Sequence, residues 1–330
     1  MARQGRYGVR RILGMAVSVV ALAIASAPAG AAMFPQKGKS IQLLIGWAAG
    51  ASTDVGARIL ASGLEKELGT PVVPVNKPGA SGQMTLTLLA ASKPDGYTFG
   101  TTNFPSAIVS GLDPARKATY NRHSFQVLGL HVIDPTVFAV KSTSPYKTLR
   151  DLIEAAKAKP KTITITTTGV QSDEHFGILQ LERMTGARFA LVHFAQGGAT
   201  ALPPVLGGKV DIYGGNVADV LAQVKSGEMR VLGIMDEEES PFYPGIKTFE
   251  AQGYKLYNAS SRGFSAPAGT PKEIIDILSG AMKKVVATED HKKRMADMGL
   301  TLRYMTPEQY TKYWDETEAI IKELLPLTKE

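Results

Sequence analysis

A strand, a helix closed by glycine, a second strand and a glycine-rich turn follow one another twice in this chain. Ile41-Gln-Leu-Leu-Ile reads as a buried strand, and Val55, Ile59, Leu60, Leu64 and Leu68 then recur at helical spacing up to Gly69. Val72-Val-Pro-Val is a short strand entering the turn Asn76 to Gly82, and Tyr97-Thr-Phe-Gly-Thr-Thr is a further strand. Strands linked through a helix in this way demand a parallel sheet. The order recurs from Thr162-Ile-Thr-Ile-Thr through Thr167 to Asp173, into a helix carrying Phe176, Leu179 and Met184. Leu181-Glu182-Arg183 before Gly186 repeats Leu64-Glu65-Lys66 before Gly69, and Ala190 to Phe194 leads to the turn Gln196-Gly-Gly-Ala199. Two similar α/β lobes are expected.

Between and beyond them, Gly207-Gly208 ends a helix, Val210 to Tyr213 reads as a strand, Val217 to Val224 as helical, and Met229 to Ile234 as a strand. Thr270-Pro271-Lys-Glu273 and Thr306-Pro307-Glu-Gln309 both have the form of a capping box with proline at the first helical position. They open helices striped with Ile274, Leu278, Met282 and Val285, and with Tyr310, Trp314, Ile320 and Leu324. These helices are expected to pack back across the first lobe.

Hydrophobic residues make up 44% of the 330, enough for one large core or two ordinary ones. There is no Cys, which excludes disulfides, thiolate metal sites, a cysteine nucleophile and a lipid anchor on cysteine. Arg3, Arg6, Arg10 and Arg11 precede a mostly apolar run from Ile12 to Ala25, and Ala29-Gly30-Ala31 supplies a small-x-small cleavage site. Residues 1–31 therefore read as a secretory signal peptide that exports the chain. Their removal takes away four Arg and no acid, so the net charge falls from +7 to +3. What remains of the basic balance lies on patterned helices, and nucleic-acid binding is not expected.

Catalytic and metal signatures are missing: there is no G-x-S-x-G, no phosphate loop, no H-E-x-x-H and no G-x-G-x-x-G. The five His share no ligand spacing, so neither metal nor cofactor is expected. His175 beside Ser172 offers a base and a nucleophile, with Asp173 next to them, but Ser172 is equally placed to cap the helix.

Two helix starts remain. Gly50-Ala51-Ser52-Thr53-Asp54 and Gly169-Val-Gln-Ser172-Asp173 each put glycine and small hydroxyl residues between a strand and a helix. Unpaired N–H groups and the positive end of the helix dipole suit a carboxylate there. Either segment is also an ordinary cap, with Ser52 or Thr53 capping and Asp54 facing the dipole. Two such ends facing each other across a cleft favour anion binding.

Pro35 to Leu44, Trp47-Ala-Ala-Gly-Ala-Ser-Thr-Asp54, Pro71 to Gly79, Pro94-Asp-Gly-Tyr97, Leu206-Gly-Gly-Lys-Val-Asp211 and Gly263 to Pro271 together resemble the Bug-type periplasmic solute receptors of tripartite tricarboxylate transporters. The resemblance runs in order through essentially the whole chain after the leader. It implies an α/β, two-lobed periplasmic binding protein fold, type II-like, each lobe a mixed sheet flanked by helices, with the ligand cleft between the lobes. Lobe 1 would comprise residues 32–137 and 233–330, and lobe 2 residues 138–232. The implied function is capture of an organic carboxylate for a transporter, with the membrane permease subunits and a sensor protein as partners and the receptor itself monomeric.

Carried over from the family, the pocket would draw on Trp47, Ala49, Gly50, Ala51, Ser52, Thr53 and Asp54 of the first loop, and on Asn103 in a loop formed with Thr101 and Thr102. It would also draw on Thr168, Gly169, Ser172 and His175, on Ala195, Gly197, Gly198 and Ala199, and on Asn216 in the stretch Gly214-Gly215-Asn216. Such relatives usually carry Phe where Trp47 stands, an acid where Gly215 stands and an aromatic where Arg262 stands. Arg262 would then either reach the cleft, giving a charge-assisted contact to the far end of a diacid, or lie on the outer surface. A dicarboxylate, aliphatic or aromatic, is the expected ligand. The competing expectation is an exported hydrolase or isomerase acting on a small carboxylate through Ser172 or His175.

Overall fold

The computed structural model describes residues 34–194 and 197–329. The expected signal peptide therefore lies outside the described residues, as does Ala195.

Strand β1 (Ile41–Ile45) is buried at every position but Gln42, as a strand covered on both faces must be. Helix α1 (Ser52–Leu68) turns its stripe onto the sheet and stops at Gly69, whose φ of 63° is the left-handed cap that glycine adopts without strain. Strand β2 (Val72–Asn76) and, after α2 (Gln83–Ala90), strand β3 (Thr98–Phe104) flank β1 in parallel, in the register Ile41↔Val72 and Gln42↔Thr98. Thr101, Thr102 and Asn103 thus belong to a strand and not to a loop: their pairing partners lie on another strand, far off in the sequence. Helix α3 (Ser106–Leu112) follows.

The seventeen-residue β4 (Phe125–Lys141), absent from the sequence reading, ties the molecule together. Next come α4 (Leu149–Ala158), β5 (Thr164–Thr167), α5 (Asp173–Thr185), β6 (Ala190–His193), α6 (Gly198–Leu206), β7 (Tyr213–Asn216), α7 (Leu221–Lys225) and β8 (Met229–Ile234). The chain closes with β9 (Ala259–Pro267), α8 (Lys272–Ala287), α9 (Glu289–Asp297), β10 (Leu302–Met305) and α10 (Pro307–Leu324). The main sheet runs β10-β4-β9-β3-β1-β2. Up to Pro135, β4 pairs antiparallel with β9; from Thr136 onward it pairs with β7 and β8. Strands β5 and β6 are parallel and meet the chain just before β7 at Ile165↔Ile212.

Several expected boundaries move. The strand expected at Val210 to Tyr213 lies at Tyr213–Asn216, because β4 offers pairing partners only from Thr136↔Asn216 to Ala139↔Tyr213; Gly214 and Gly215 are therefore strand residues. On α5 the buried apolar side chains are Phe176, Ile178 and Leu181, and Met184 is exposed. On α10, Ile321 is buried while Ile320 is exposed. The Thr306 capping box forms with Gln309, but Thr270 does not cap α8: its hydroxyl donates to the Pro267 carbonyl at 2.8 Å, and Pro271 is the cap residue.

Helices α1 and α8 cover one face of the main sheet around Ile41, Leu60, Phe99 and Met282, while α2, α3 and α10 cover the other around Leu89, Phe104 and Trp314. Phe138, Leu152, Ile165, Leu181 and Phe249 form a separate cluster, as do Val137, Val205, Tyr213 and Ile234.

Candidate functional site

Helix α1 starts one residue earlier than a Ser52 cap would place it, and two earlier than a Thr53 cap would. Ala51 is the cap residue and bonds no N–H through its side chain, so Ser52 and Thr53 occupy the first turn, whose N–H groups have no acceptor within the helix. The capping work falls to Asp54, whose carboxylate accepts from Gly50 N–H at 2.8 Å, from Arg58 Nε at 2.9 Å and from Asn76 Nδ2 at 2.7 Å. Burial pushes Asp54 up, yet the bonds from Arg58, Gly50 and Asn76 outweigh it and leave the carboxyl below its ordinary range. Asp54 therefore shapes the loop from behind and does not reach the cavity.

Helix α5 has its cap at Ser172, whose oxygen accepts from the His175 backbone N–H at 3.3 Å. The imidazole Nδ1 of His175 accepts from Gln171 N–H at 2.9 Å, and burial followed by the neighbouring His193 pushes this histidine down to about 4. Both groups are spent on the turn. No Ser172–His175 nucleophile pair forms, which removes the chemical basis for a hydrolase.

The starts of α1, α5 and α6 converge on a cavity of about 280 Å³. Of the residues anticipated, Trp47, Gly50, Ala51, Ser52, Thr53, Asn103, Thr168, Ser172, Gly197, Gly198, Ala199, Asn216 and Arg262 line it. Ala49, Asp54, Gly169 and His175 do not: Ala49 is exposed on the loop, and the other three are buried behind the wall, where they hold its turns. Trp47 packs against Gly82, where a Cβ would come within 2.9 Å of the indole.

Arg262 decides between its two placements. It is paired with Asn103 across β9 and β3, lines the cavity and is only 6% exposed. Its Nη2 donates to Asp134 Oδ2 at 2.7 Å, while Nε and Nη1 are buried without partners among the described residues. Asn103 Nδ2 donates to the Thr53 hydroxyl at 3.0 Å and its Oδ1 is likewise unpartnered.

Asp134 and Asp173 lie within electrostatic reach of that guanidinium, Glu174 acts on Asp173, and Asp219 on Asp134. Burial pushes Asp134 up to about 7 against the pull of Arg262. Asp173 accepts from Asn216 Nδ2 at 2.8 Å and is pushed up to about 6 by burial. Glu174, held by the Thr168 hydroxyl at 2.8 Å, is pushed up to about 8 by burial and by Asp173. Asp219 accepts from Tyr213 Oη at 2.9 Å.

The sequence reading missed Asp134, Asp219, Arg116 and Gln171. Arg116 donates from Nε and Nη2 to Gln171 Oε1 at 3.1 and 2.9 Å, bridging two segments that both line the cavity. A signal for Asp134 existed: an acid inside the apolar run Leu128 to Val140 must find a partner. Among the described residues, no group of three or more His, Asp or Glu is arranged to hold a metal.

A family model described as the tripartite tricarboxylate transporter family receptor matches residues 56–326. The chain belongs to that receptor family. A UPF0065 protein from the gbd 5' region of Cupriavidus necator is 31% identical, with 97% of this chain and 98% of that one covered. BugT of Bordetella pertussis is 29% identical over 91% of each chain. Among solved structures, the periplasmic binding protein BugD is 25% identical with a TM-score of 0.73, covering 88% of this chain and 95% of that one. Malate-bound MatC of Rhodopseudomonas palustris is 22% identical with a TM-score of 0.77, covering 88% and 99%. An adipate-bound protein of R. palustris is 22% identical with a TM-score of 0.79, covering 89% and 98%. The receptor's architecture, a mixed sheet flanked by helices, is that of these periplasmic binding proteins, and its family is one of solute receptors and not of enzymes.

Proposed function

We propose that this receptor captures a dicarboxylate in the cavity bounded by the starts of α1, α5 and α6, and hands it to the permease of a tripartite tricarboxylate transporter. The observation that carries the proposal is Arg262: a buried guanidinium in the cavity wall with two nitrogens lacking any partner among the described residues. A buried donor without an acceptor is costly, so a ligand oxygen that completes it gains correspondingly. One carboxylate would sit at the first turn of α1 near Ser52 and Thr53 or at Ser172, and the other would meet Arg262. The malate and adipate held by the two R. palustris proteins support a diacid of short to medium length.

In this proposal residues 32–137 and 233–330 form one lobe and 138–232 the other, and the crossovers in β4 and after β8 act as the hinge. The change of buried clusters near Phe138 supports the first boundary, while Met235, Phe249 and Leu256, which pack with Phe138 and Leu152, favour a second boundary after Leu256 rather than at residue 232. Export would remove residues 1–31, which mass spectrometry of the secreted chain would register as a new N-terminus after Ala31. The decisive experiment is calorimetry with succinate and adipate against butyrate and hexanoate. The diacids should bind roughly tenfold or more tightly, as a charge-assisted bond at each end predicts. A monoacid binding as tightly as its diacid would overturn the proposal.

A further inference from the structure

One side chain ties two walls of the cavity together. Gln171 stands just before α5, in the proposed lobe that begins at residue 138, and its amide is held by two segments of the other lobe. Its Oε1 accepts from Arg116 Nε at 3.1 Å and from Arg116 Nη2 at 2.9 Å. Its Nε2 donates to Asp113 Oδ2 at 2.8 Å and to the Thr328 hydroxyl at 3.3 Å. The socket thus draws on the turn after α3 and on the turn Leu325–Lys329 after α10. Arg116 Nη2 also donates to the Val170 carbonyl at 3.1 Å, and Gln83 Nε2 holds the Arg116 carbonyl at 2.9 Å. The bond from Gln171, against the effect of burial, keeps the Asp113 carboxyl below its ordinary range and so ionised as an acceptor. The backbone of Gln171 lies at φ 66°, where residues with a side chain are uncommon, and its N–H is fixed there by His175 Nδ1 at 2.9 Å. Such a conformation persists where its surroundings over-determine it, and here they are the socket and the first turn of α5.

We infer that Gln171 and its socket of Asp113, Arg116 and Thr328 form a clasp that closes the two lobes without help from a ligand and sets how fast a ligand enters and leaves. The inference rests on the division into lobes proposed above. All four bonds to the amide are made by protein groups, and three of them carry a charge on one partner, which makes them the stronger kind. Gln171 and Asp113 are both buried, so these bonds pass to water only when the lobes part. Opening breaks them whether the cavity is filled or not. The clasp therefore favours the closed form of the free and of the loaded receptor alike, and only the minor open form admits or releases a ligand.

The chain has no Cys, so cysteines introduced at the exposed Lys225 of α7 and Lys293 of α9 can carry one spin label in each lobe. Pulsed electron spin resonance of the full mature receptor without added ligand should give mainly one short distance. Gln171→Gly removes the amide while keeping a residue suited to φ 66°, with the melting temperature reporting that it folds. It should move most ligand-free molecules to a longer distance, and Arg116→Met should do the same from the socket side. In stopped-flow mixing with adipate, association and dissociation should both become roughly fivefold or more faster, since the open fraction grows in both forms. Faster dissociation with unchanged association would make Gln171 a ligand contact and overturn the clasp. Ligand-free distances that agree among wild type and both variants, while adipate shortens them all, would overturn it and leave the dicarboxylate proposal standing. Distances that respond to neither substitution nor ligand would overturn the clasp together with the division into lobes. Variants that open while no diacid binds would uphold the clasp and remove the dicarboxylate proposal instead.

Discussion

Arg262→Met isolates what the buried guanidinium does for the fold from what it does for the ligand. Met keeps most of the length and none of the charge. Asp134, fully buried, loses the Nη2 contact at 2.7 Å and retains the Ala218 N–H at 3.3 Å, with Asp219 still close enough to raise it further. Breaking a buried pair by removing one member costs about 3–5 kcal/mol. The loss is bounded because Asp134 can take up a proton, as burial already favours even with Arg262 present. The pH dependence then has a definite sign. The native variant holds a proton on Asp134 that the unfolded chain releases near pH 4, so stability is fully present below that pH. It falls by up to about 1.4 kcal/mol per unit as pH rises through the raised native value. Urea titrations from pH 5 to 8 should therefore show a large deficit at pH 8 and a smaller one at pH 5. Asp134→Asn added to Arg262→Met replaces the stranded acid by a neutral isostere and should restore most of the stability, yet succinate or adipate should no longer raise the melting temperature. A double variant as unstable as the single one, or a single variant losing under about 1 kcal/mol at pH 8, would refute the pairing as a structural requirement. A folded double variant that keeps its diacid response would refute Arg262 as an anchor.

Glu174→Gln tests the acid pair behind the cavity. Glu174 is pushed up to about 8 by burial and Asp173, so its contribution is fully present below the unfolded value near 4.3 and is lost as pH rises through the native one. The variant should gain on the wild type from pH 5 to 9 in urea melts, and a constant gap would refute the shift. Gly82→Ala places a methyl group at φ 87° and 2.9 Å from Trp47, so it should cost about 1–3 kcal/mol and shift tryptophan emission; an unchanged spectrum and melting point would count against the contact. Thr306→Ala removes the cap of α10 and should cost about 1 kcal/mol by chemical denaturation, with a loss of a few tenths or less showing that Pro307 alone sets the start.

What the sequence made legible was local. The helices after β1 and β5 and the glycine ends of α1 and α5 follow from spacing and backbone preference over a few residues, and they fell where expected. The long strand β4 escaped because Gly129, His131, Asp134 and Pro135 break its apolar run, and each of the two charged or ring-bearing polar groups is answered from far away. His131 Nε2 meets His291 Nε2 at 2.8 Å, and Asp134 meets Arg262. Burial of such groups is paid for by partners more than a hundred residues distant, which no window of sequence contains. The cavity divides the same way. Its helix starts are backbone features and were visible, while its side-chain complement depends on β9 lying between β3 and β4. That strand order is what sets Arg262 beside Asn103 on one side and within reach of Asp134 on the other. The register also explains why an arginine is tolerated inside the sheet at all. Asp134 pairs with its Nη2 at 2.7 Å, and among the described residues its Nε and Nη1 have no partner in the cavity wall.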